Sequence, residues 1–409
     1  MHRTEGANNV ANLFTDGPPG TTVEEDFMNA VQEEICAVVE GAGLTLKTAT
    51  TETRDQLLEA LQALFVSPDG VYGKNALING DFRISQRGAS GAASYTGATS
   101  PLNSDDTYLH DRWILLSDGN DIVDVTQSTE APDGALLSCA LDVETVNKKF
   151  GIFQPIEQKN CVHMIGDVVS LSFQAKVSDI TKLDNIKAMV VAWDGAADII
   201  TSDIVSLWNA EDVTPTLVAN WTAENTPTNL NVTAAWAKYT INNIAIDTAG
   251  AKNVGVFIWS DGFCDTVANF LYITNVQLEK NSEASVYGMR SMAAELVLCQ
   301  RYYCKSYDQD VAHGAASDIG DTDFQFTALN NGDHNCYATT RFATVMRVIP
   351  SITLYDIAGN SGKITMAVGN NIAGTAANIG MSGFRAHGTN GAADTSRKIE
   401  YHYLADSEL

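Results

Sequence analysis

The chain has 409 residues, 45% hydrophobic and 18% charged, which allows two or three folded units and at least one sizeable core. Its 25 Lys and Arg face 50 Asp and Glu, and the net charge of −25 disfavours nucleic acid and anionic membranes as partners. No run of about eighteen apolar residues occurs, so membrane insertion is not expected. The start, Met1 to Gly6, lacks the basic and apolar regions of a secretory signal, which predicts assembly in a cytoplasm. Seven scattered cysteines without C-x-x-C spacing read as buried thiols rather than zinc or exchange sites.

Residues 1–66 read as a helical segment. Thr22-Val23-Glu24-Glu25 has capping-box spacing. Phe27, Val31, Ile35 and Val38 then fall on one helical face, and Gly41 and Gly43 stop the helix. A second helix opens at Thr53, with Leu57 and Leu61 on its apolar side. Two such short helices bury too little to stand alone, so their stripes are expected to serve attachment or assembly.

Residues 67–285 read as a jelly-roll β-sandwich. Asn75 to Gly88 is expected to be its opening strand and Ile273 to Glu279 its closing one. Alternation is clear at Leu137, Cys139, Leu141 and Val143, and at Val169, Leu171, Phe173, Ala175 and Val177. Further strands are expected at 121–128, 186–193, 238–246, 253–259 and 270–278, with long loops at 88–107 and 209–236. Residues 286–305 read as a helical connector and 306–409 as a smaller sandwich, with strands near 324–329, 337–346, 352–357, 363–368 and 398–404. The tract from Gly359 to Asn390 reads as loops and weak strands.

All six tryptophans lie between 113 and 259. A sugar ring stacks its C–H face on an indole while its hydroxyls need amide or carboxylate partners. Trp193-Asp194 and Trp259-Ser260-Asp261 place a ring beside an acid at strand ends, and Trp208, Trp221 and Trp236 lie in or beside the long loops. Trp193, Asp194, Trp208, Trp221, Trp259 and Asp261 are therefore the candidate glycan-binding residues, provided that the rings converge. Any one of them taken alone reads as a core or loop-pinning residue. No paired-histidine ligand motif, nucleophile elbow or phosphate loop is present, so an enzyme is not expected. His110-Asp111 and Asp333-His334 read as loop hydrogen-bonders.

The runs Phe14-Thr15-Asp16-Gly17, Asp26 to Ile35 and Gly41-Ala42-Gly43-Leu44 resemble the N-terminal segment of tail-fibre proteins of tailed bacteriophages. Cys299-Gln300-Arg301-Tyr302-Tyr303 and the ending Tyr401 to Leu409 resemble phage-fibre connectors and closing strands. Asn79-Gly80-Asp81-Phe82 with Ile273 to Glu279 resembles the ends of jelly-roll carbohydrate-binding modules. The resemblance implies a homotrimeric virion fibre, attached by its N-terminus to other tail, neck or capsid proteins. Its sandwiches would recognise host cell-surface polysaccharide. The alternative is a structural capsid- or neck-attached fibre without receptor binding, and behind it a glycan-cleaving enzyme. Such modules often hold a structural calcium between first and last strands. Here Asn275 stands in place of a carboxylate, with Asp81 and Glu279 as the remaining oxygen ligands.

Overall fold

The computed structural model describes residues 25–41, 44–46, 56–57, 60–61, 74–88, 93–96, 101–325, 334–367, 370–390 and 398–409. The chain divides into two units, Met1–Lys74 and Asn75–Leu409. In the first, helix α1 spans Glu25–Gly41, as the apolar spacing and its terminal glycine predict. Phe27, Val31 and Val38 are half-buried, Ile35 is exposed, and only Val39 is buried. Of the second expected helix, residues 56–57 and 60–61 are described as helical, with Leu57 and Leu61 exposed. The capping residues before Glu25 lie outside the described residues.

The second unit is mainly β. Its strands begin β1 (Ser94–Tyr95), β2 (Thr107–Tyr108), β3 (Ile114–Ser117), β4 (Val123–Ser128), β5 (Ser138–Val143) and β6 (Phe150–Ile156). After a short helix α2 (Gln158–Cys161) come β7 (Val168–Val177), β8 (Ile186–Trp193), β9 (Val205–Leu207), β10 (Thr216–Leu217) and β11 (Trp221–Ala223). The sandwich closes with β12 (Ala237–Ala245), β13 (Asn253–Ser260) and β14 (Phe270–Glu279). One sheet has the order β1-β4-β5-β14-β7-β12 and the other β11-β8-β13-β6-β3-β2. From β5 onward most connections switch sheets, which is jelly-roll winding. The core between them takes the inward residues of both, including Leu141, Leu171, Phe173, Val190, Val256, Leu271 and Ile273.

Helix α3 (Met292–Gln300) follows, capped by Ser291, whose hydroxyl accepts the Ala294 N–H at 3.3 Å. The smaller C-terminal part comprises β15 (Tyr303–Lys305), β16 (Thr322–Gln325), β17 (His334–Arg341), β18 (Ser351–Tyr355), β19 (Lys363–Ala367), β20 (Asn370–Ala373), β21 (Thr375–Gly380), β22 (Gly383–Asn390) and β23 (Lys398–Asp406). Strand β23 is central, paired by β15, β16, β18 and β19, and β17-β22-β21 form a separate sheet. Leu354, Ile364, Met366, Phe384, Ile399 and Tyr401 fill the core between them. The Gly- and Asn-rich tract thus contributes four strands, β19 to β22.

Residues 75–88 are not a strand. Asn79 (φ 56°) and Phe82 (φ 53°) take left-handed conformations that turn the chain, and side chains replace sheet partners. The Asn79 amide donates to the Ile84 carbonyl at 2.8 Å and accepts the Ile84 N–H at 3.0 Å. Gln154 pairs both ways with the Ile78 backbone, at 2.7 and 2.8 Å. The segment still meets β14, since the Val276 N–H donates to Gly80 O at 2.8 Å and the Ala76 N–H to Leu278 O at 2.9 Å. Gly80 is required there, because a Cβ would sit 2.1 Å from Val276 O.

Beyond Gly80 the segment enters a buried polar junction. Arg87 and Arg112 both pair with Glu408, near the chain's last residue, the Arg87 bond at 3.1 Å. Their guanidinium groups lie over Tyr303 and Tyr302, 3.9 and 3.8 Å from the ring centres. Gln86 bridges Asp111 at 2.6 Å and the Tyr303 carbonyl at 2.7 Å. Glu408→Ala would leave two buried cations without their shared anion, with an expected loss of about 3–5 kcal/mol of unfolding free energy. Urea titration followed by tryptophan fluorescence measures it, with Lys148→Ala, in the exposed pair with Asp118, as the near-neutral control.

Candidate functional site

The candidate indoles do converge, on the outer side of β8, β13 and β6. Trp193 and Trp221 lie 5.3 Å apart by ring centres, Phe257 stacks on Trp259 at 4.9 Å, and Trp208 lies 5.9 Å from Phe257. They are nevertheless sealed. Trp193 and Trp221 are 5% exposed and Trp259 is 0% exposed. Residues 194–220, including β9 and β10, fold over the sheet and make a second apolar layer with Ile204, Val205 and Leu217. Gly151 permits it, because a Cβ there would lie 2.6 Å from the Trp259 side chain. The Trp193 and Trp221 N–H groups donate to the Ala196 and Thr201 carbonyls of this cover, each at 2.9 Å. Trp208 alone stays half-buried at its edge, and Asp194, next to Trp193 in sequence, is exposed.

Asp261 is fully buried, between Lys149 (2.7 Å) and Lys187 (2.8 Å), and it also accepts the Asp212 and Trp259 N–H groups at 2.7 and 3.2 Å. Burial pushes its carboxyl up, but the two ammonium groups outweigh that and hold it below the usual range. A carboxylate so engaged has no acceptor left for a hydroxyl. Trp193, Trp221, Trp259 and Asp261 are therefore core and cover residues, which corrects their expected role.

The suggested cation ligands are also committed elsewhere. Asp81 holds Arg83 at 2.5 Å, and Glu279 accepts the Ser285 N–H and hydroxyl, each at 2.7 Å. Asn275 at the β14 bulge donates to Gln174 at 2.6 Å. Among the described residues no group of three or more His, Cys, Asp or Glu side chains is arranged to hold a metal ion, and the donor set at this place does not fit calcium. His110 is buried against Ser85 at 3.2 Å, and burial pushes it down to about 4. Asp333 and the His334 side chain lie outside the described residues.

The opposite sheet is only partly covered on its outer face, where Thr274 and Ala140 are buried and rings and charged groups reach solvent. Leu271 and Ile273 point into the core, so alternation turns Phe270 and Tyr272 outward. The registers build rows across the strands. Asp124, Asp142 and Phe270 form one, Thr126, Ala140, Tyr272 and Lys176 the next, and Thr274, Gln174 and Lys238 the third. Phe270 and Tyr272 stack at 5.6 Å with planes 16° apart, and Trp236 lies 6.2 Å from Tyr272. All three rings are half-buried. Glu130 fixes the strip's end, bonding Lys176 at 2.9 Å and the Trp236 N–H at 3.2 Å, while Lys176 lies 5.2 Å from the Tyr272 ring centre. Those two donors hold the Glu130 carboxyl below its usual range.

Beside the strip, at the β14 bulge, Gln174, Lys238, Asn275, Tyr287 and Asp133 line a cavity of about 310 Å³. Rings, amides, acids and a lysine thus share one flat face, an arrangement able to stack a pyranose and bond its hydroxyls. Trp236 stood out in the sequence; Phe270, Tyr272, Lys176 and Glu130 were readable only from which way their strands face.

No family model matches the chain. A 57-residue stretch is 40% identical to the uncharacterized protein StfP of Escherichia coli K12, covering 14% of this chain and 26% of that protein. The chain therefore spans about a quarter of that relative's length. Three solved structures resemble parts of it. The tailspike protein 4 enzymatically active domain of bacteriophage CBA120 is 17% identical, with a TM-score of 0.28 over 50% of this chain and 21% of that one. TmCBM61, in complex with β-1,4-galactotriose, is 13% identical, with a TM-score of 0.28 over 51% and 99%. The C-terminal family 22 carbohydrate binding module of Clostridium thermocellum Xyn10B is 11% identical, with a TM-score of 0.26 over 49% and 98%. At such identities and scores these likenesses carry no information about what this chain binds.

Asp142 gives the face a pH signature. Burial first, then Glu144 and Asp124, push its carboxyl up from 3.8 to about 6. A raised carboxyl favours the folded state while protonated, so this contribution is present below the ordinary value and lost as pH rises through about 6. Asp142→Asn is expected to raise the melting temperature at pH 7 and to flatten its fall between pH 4 and 6, by differential scanning fluorimetry.

Proposed function

We propose that this chain is a glycan-recognition component of a phage virion fibre, binding cell-surface polysaccharide on the outer face of the sheet β4-β5-β14-β7-β12. The Phe270–Tyr272–Trp236 strip carries the reading, because these rings stay open to solvent while Glu130 and Lys176 hold the indole in place. A pre-positioned aromatic costs little ordering entropy on binding. Contacts per site are few, so useful attachment calls for several copies. A trimer would supply them through the apolar stripe of α1, which is also the segment for attachment to tail, neck or capsid proteins. Assembly in a host cytoplasm and a place in the virion belong to the same reading. The residues offered are suited to holding a sugar, and no reaction is proposed.

Trp236→Ala and Tyr272→Ala are each expected to weaken retention on host-cell polysaccharide by roughly tenfold, with thermal stability nearly kept. Trp259→Ala should instead lower stability by about 3–5 kcal/mol. Affinity electrophoresis and thermal melts separate these outcomes. Retention unchanged in both strip variants would leave a structural virion strut as the better reading. For assembly, Val31→Asp with Ile35→Asp is expected to turn a trimer into a monomer in sedimentation equilibrium.

A further inference from the structure

The acidity of the chain is unevenly distributed. Between Asn335 and Ala393 there is one acid, Asp356, against four bases, Arg341, Arg347, Lys363 and Arg385. That stretch carries a net +3 in a chain of −25. Asp356 is fully buried and spends its carboxylate on the turn at Ala358 and Asn360. Strands β17, β22 and β21 contain no acid at all, and together they form one three-stranded sheet.

Alternation decides which groups that sheet shows. Cys336, Ala338, Phe384 and Ala386 point into the core. Tyr337, Thr339, Arg341, Arg385 and His387 therefore share the outer face. The registers set Tyr337 opposite His387, and Thr339 opposite Arg385. Tyr337 and His387 stack at 5.2 Å with planes 17° apart, and the Arg385 guanidinium lies 4.6 Å from the Tyr337 ring centre. This ladder holds the Arg385 fork still. Its Nε is buried and has no partner, and among the described residues neither Arg341 nor Arg385 is in an ion pair. An anion would satisfy what the fold leaves open.

We infer that the outer face of the sheet β17-β22-β21 is a binding surface for an acidic polysaccharide, one whose sugar rings bear carboxylates. A planar guanidinium fork matches a carboxylate by two parallel bonds, and Thr339 and Thr375 beside it can bond sugar hydroxyls. The face has no large apolar centre of the kind a stable protein partner needs, which favours a polyhydroxylated ligand over a second copy. It lies on a different sheet from the aromatic strip, and its charge does not depend on that strip.

The test uses the full chain on surfaces coated with polygalacturonate or with its fully methyl-esterified, neutral form. The chain should bind the acid form at about 50 mM salt, lose at least roughly tenfold by about 300 mM, and ignore the ester. R341Q/R385Q should lower binding at least about tenfold, R341Q alone by less, and Lys182→Gln, on the jelly roll, not at all. R341Q sits at a strand end and covers the case in which replacing Arg385 disturbs the sheet. Failure to bind the acid form, equal binding to the ester, or full binding by both Arg variants would overturn the inference. So would self-association that R341Q/R385Q abolishes. None of these variants alters the jelly roll, so the outcome is independent of that for the strip.

Discussion

Glu408 is the constraint on which the second unit depends. Its carboxylate lies between Arg87, near the end of the segment that leads into the jelly roll, and Arg112, just before β3. Two tyrosines at the end of α3 cover the guanidinium groups. Three stretches far apart in sequence therefore have to be in place before any of these charges is satisfied. Buried pairs of this kind add little net stability over apolar packing, yet removing one member is costly. Their consequence here is fixed geometry: the jelly roll, α3 and the C-terminal strands form one unit.

Within the jelly roll the two outer faces have opposite fates. On one, Trp193, Trp221, Trp259 and Phe257 are covered by residues 194–220, and the sheet strands β8 and β13 are buried on both sides. Its aromatic content serves packing. On the other, β4 and β12 keep a largely alternating burial pattern, and polar groups and half-buried rings reach solvent. Recognition by a sheet needs the second kind of face, since a ring acts as a platform only when one side stays free.

The fold was legible where apolar runs are long and bounded by turn residues. β4, β5, β7, β8, β12, β13 and β14 lie within a few residues of their expected spans, although β8 and β13 are buried on both faces. β6 escaped notice, since Phe150–Ile156 is buried throughout and carries Gly151 and Pro155. The opening segment looked like a strand because its apolar residues are evenly spaced, whereas its polar residues, Asn79 above all, dictate a turning path. The site was half legible. The tryptophans meet the condition of converging, but composition cannot say whether a loop folds back over them. Phe270 and Tyr272 carried the signal in their outward register, one residue out of step with Leu271 and Ile273.

The acid-poor C-terminal sheet adds a second chemistry to the same chain, cationic where the jelly-roll face is mixed. The central claim remains the aromatic strip. A crystal structure of the chain with an oligosaccharide cut from host polysaccharide tests it most directly. Sugar rings seated on Tyr272 and Trp236, with hydroxyls toward Glu130, Lys176 or Gln174, are the result this account requires. Sugar seated at Trp208 and the 194–220 cover, with the strip bare, would contradict it.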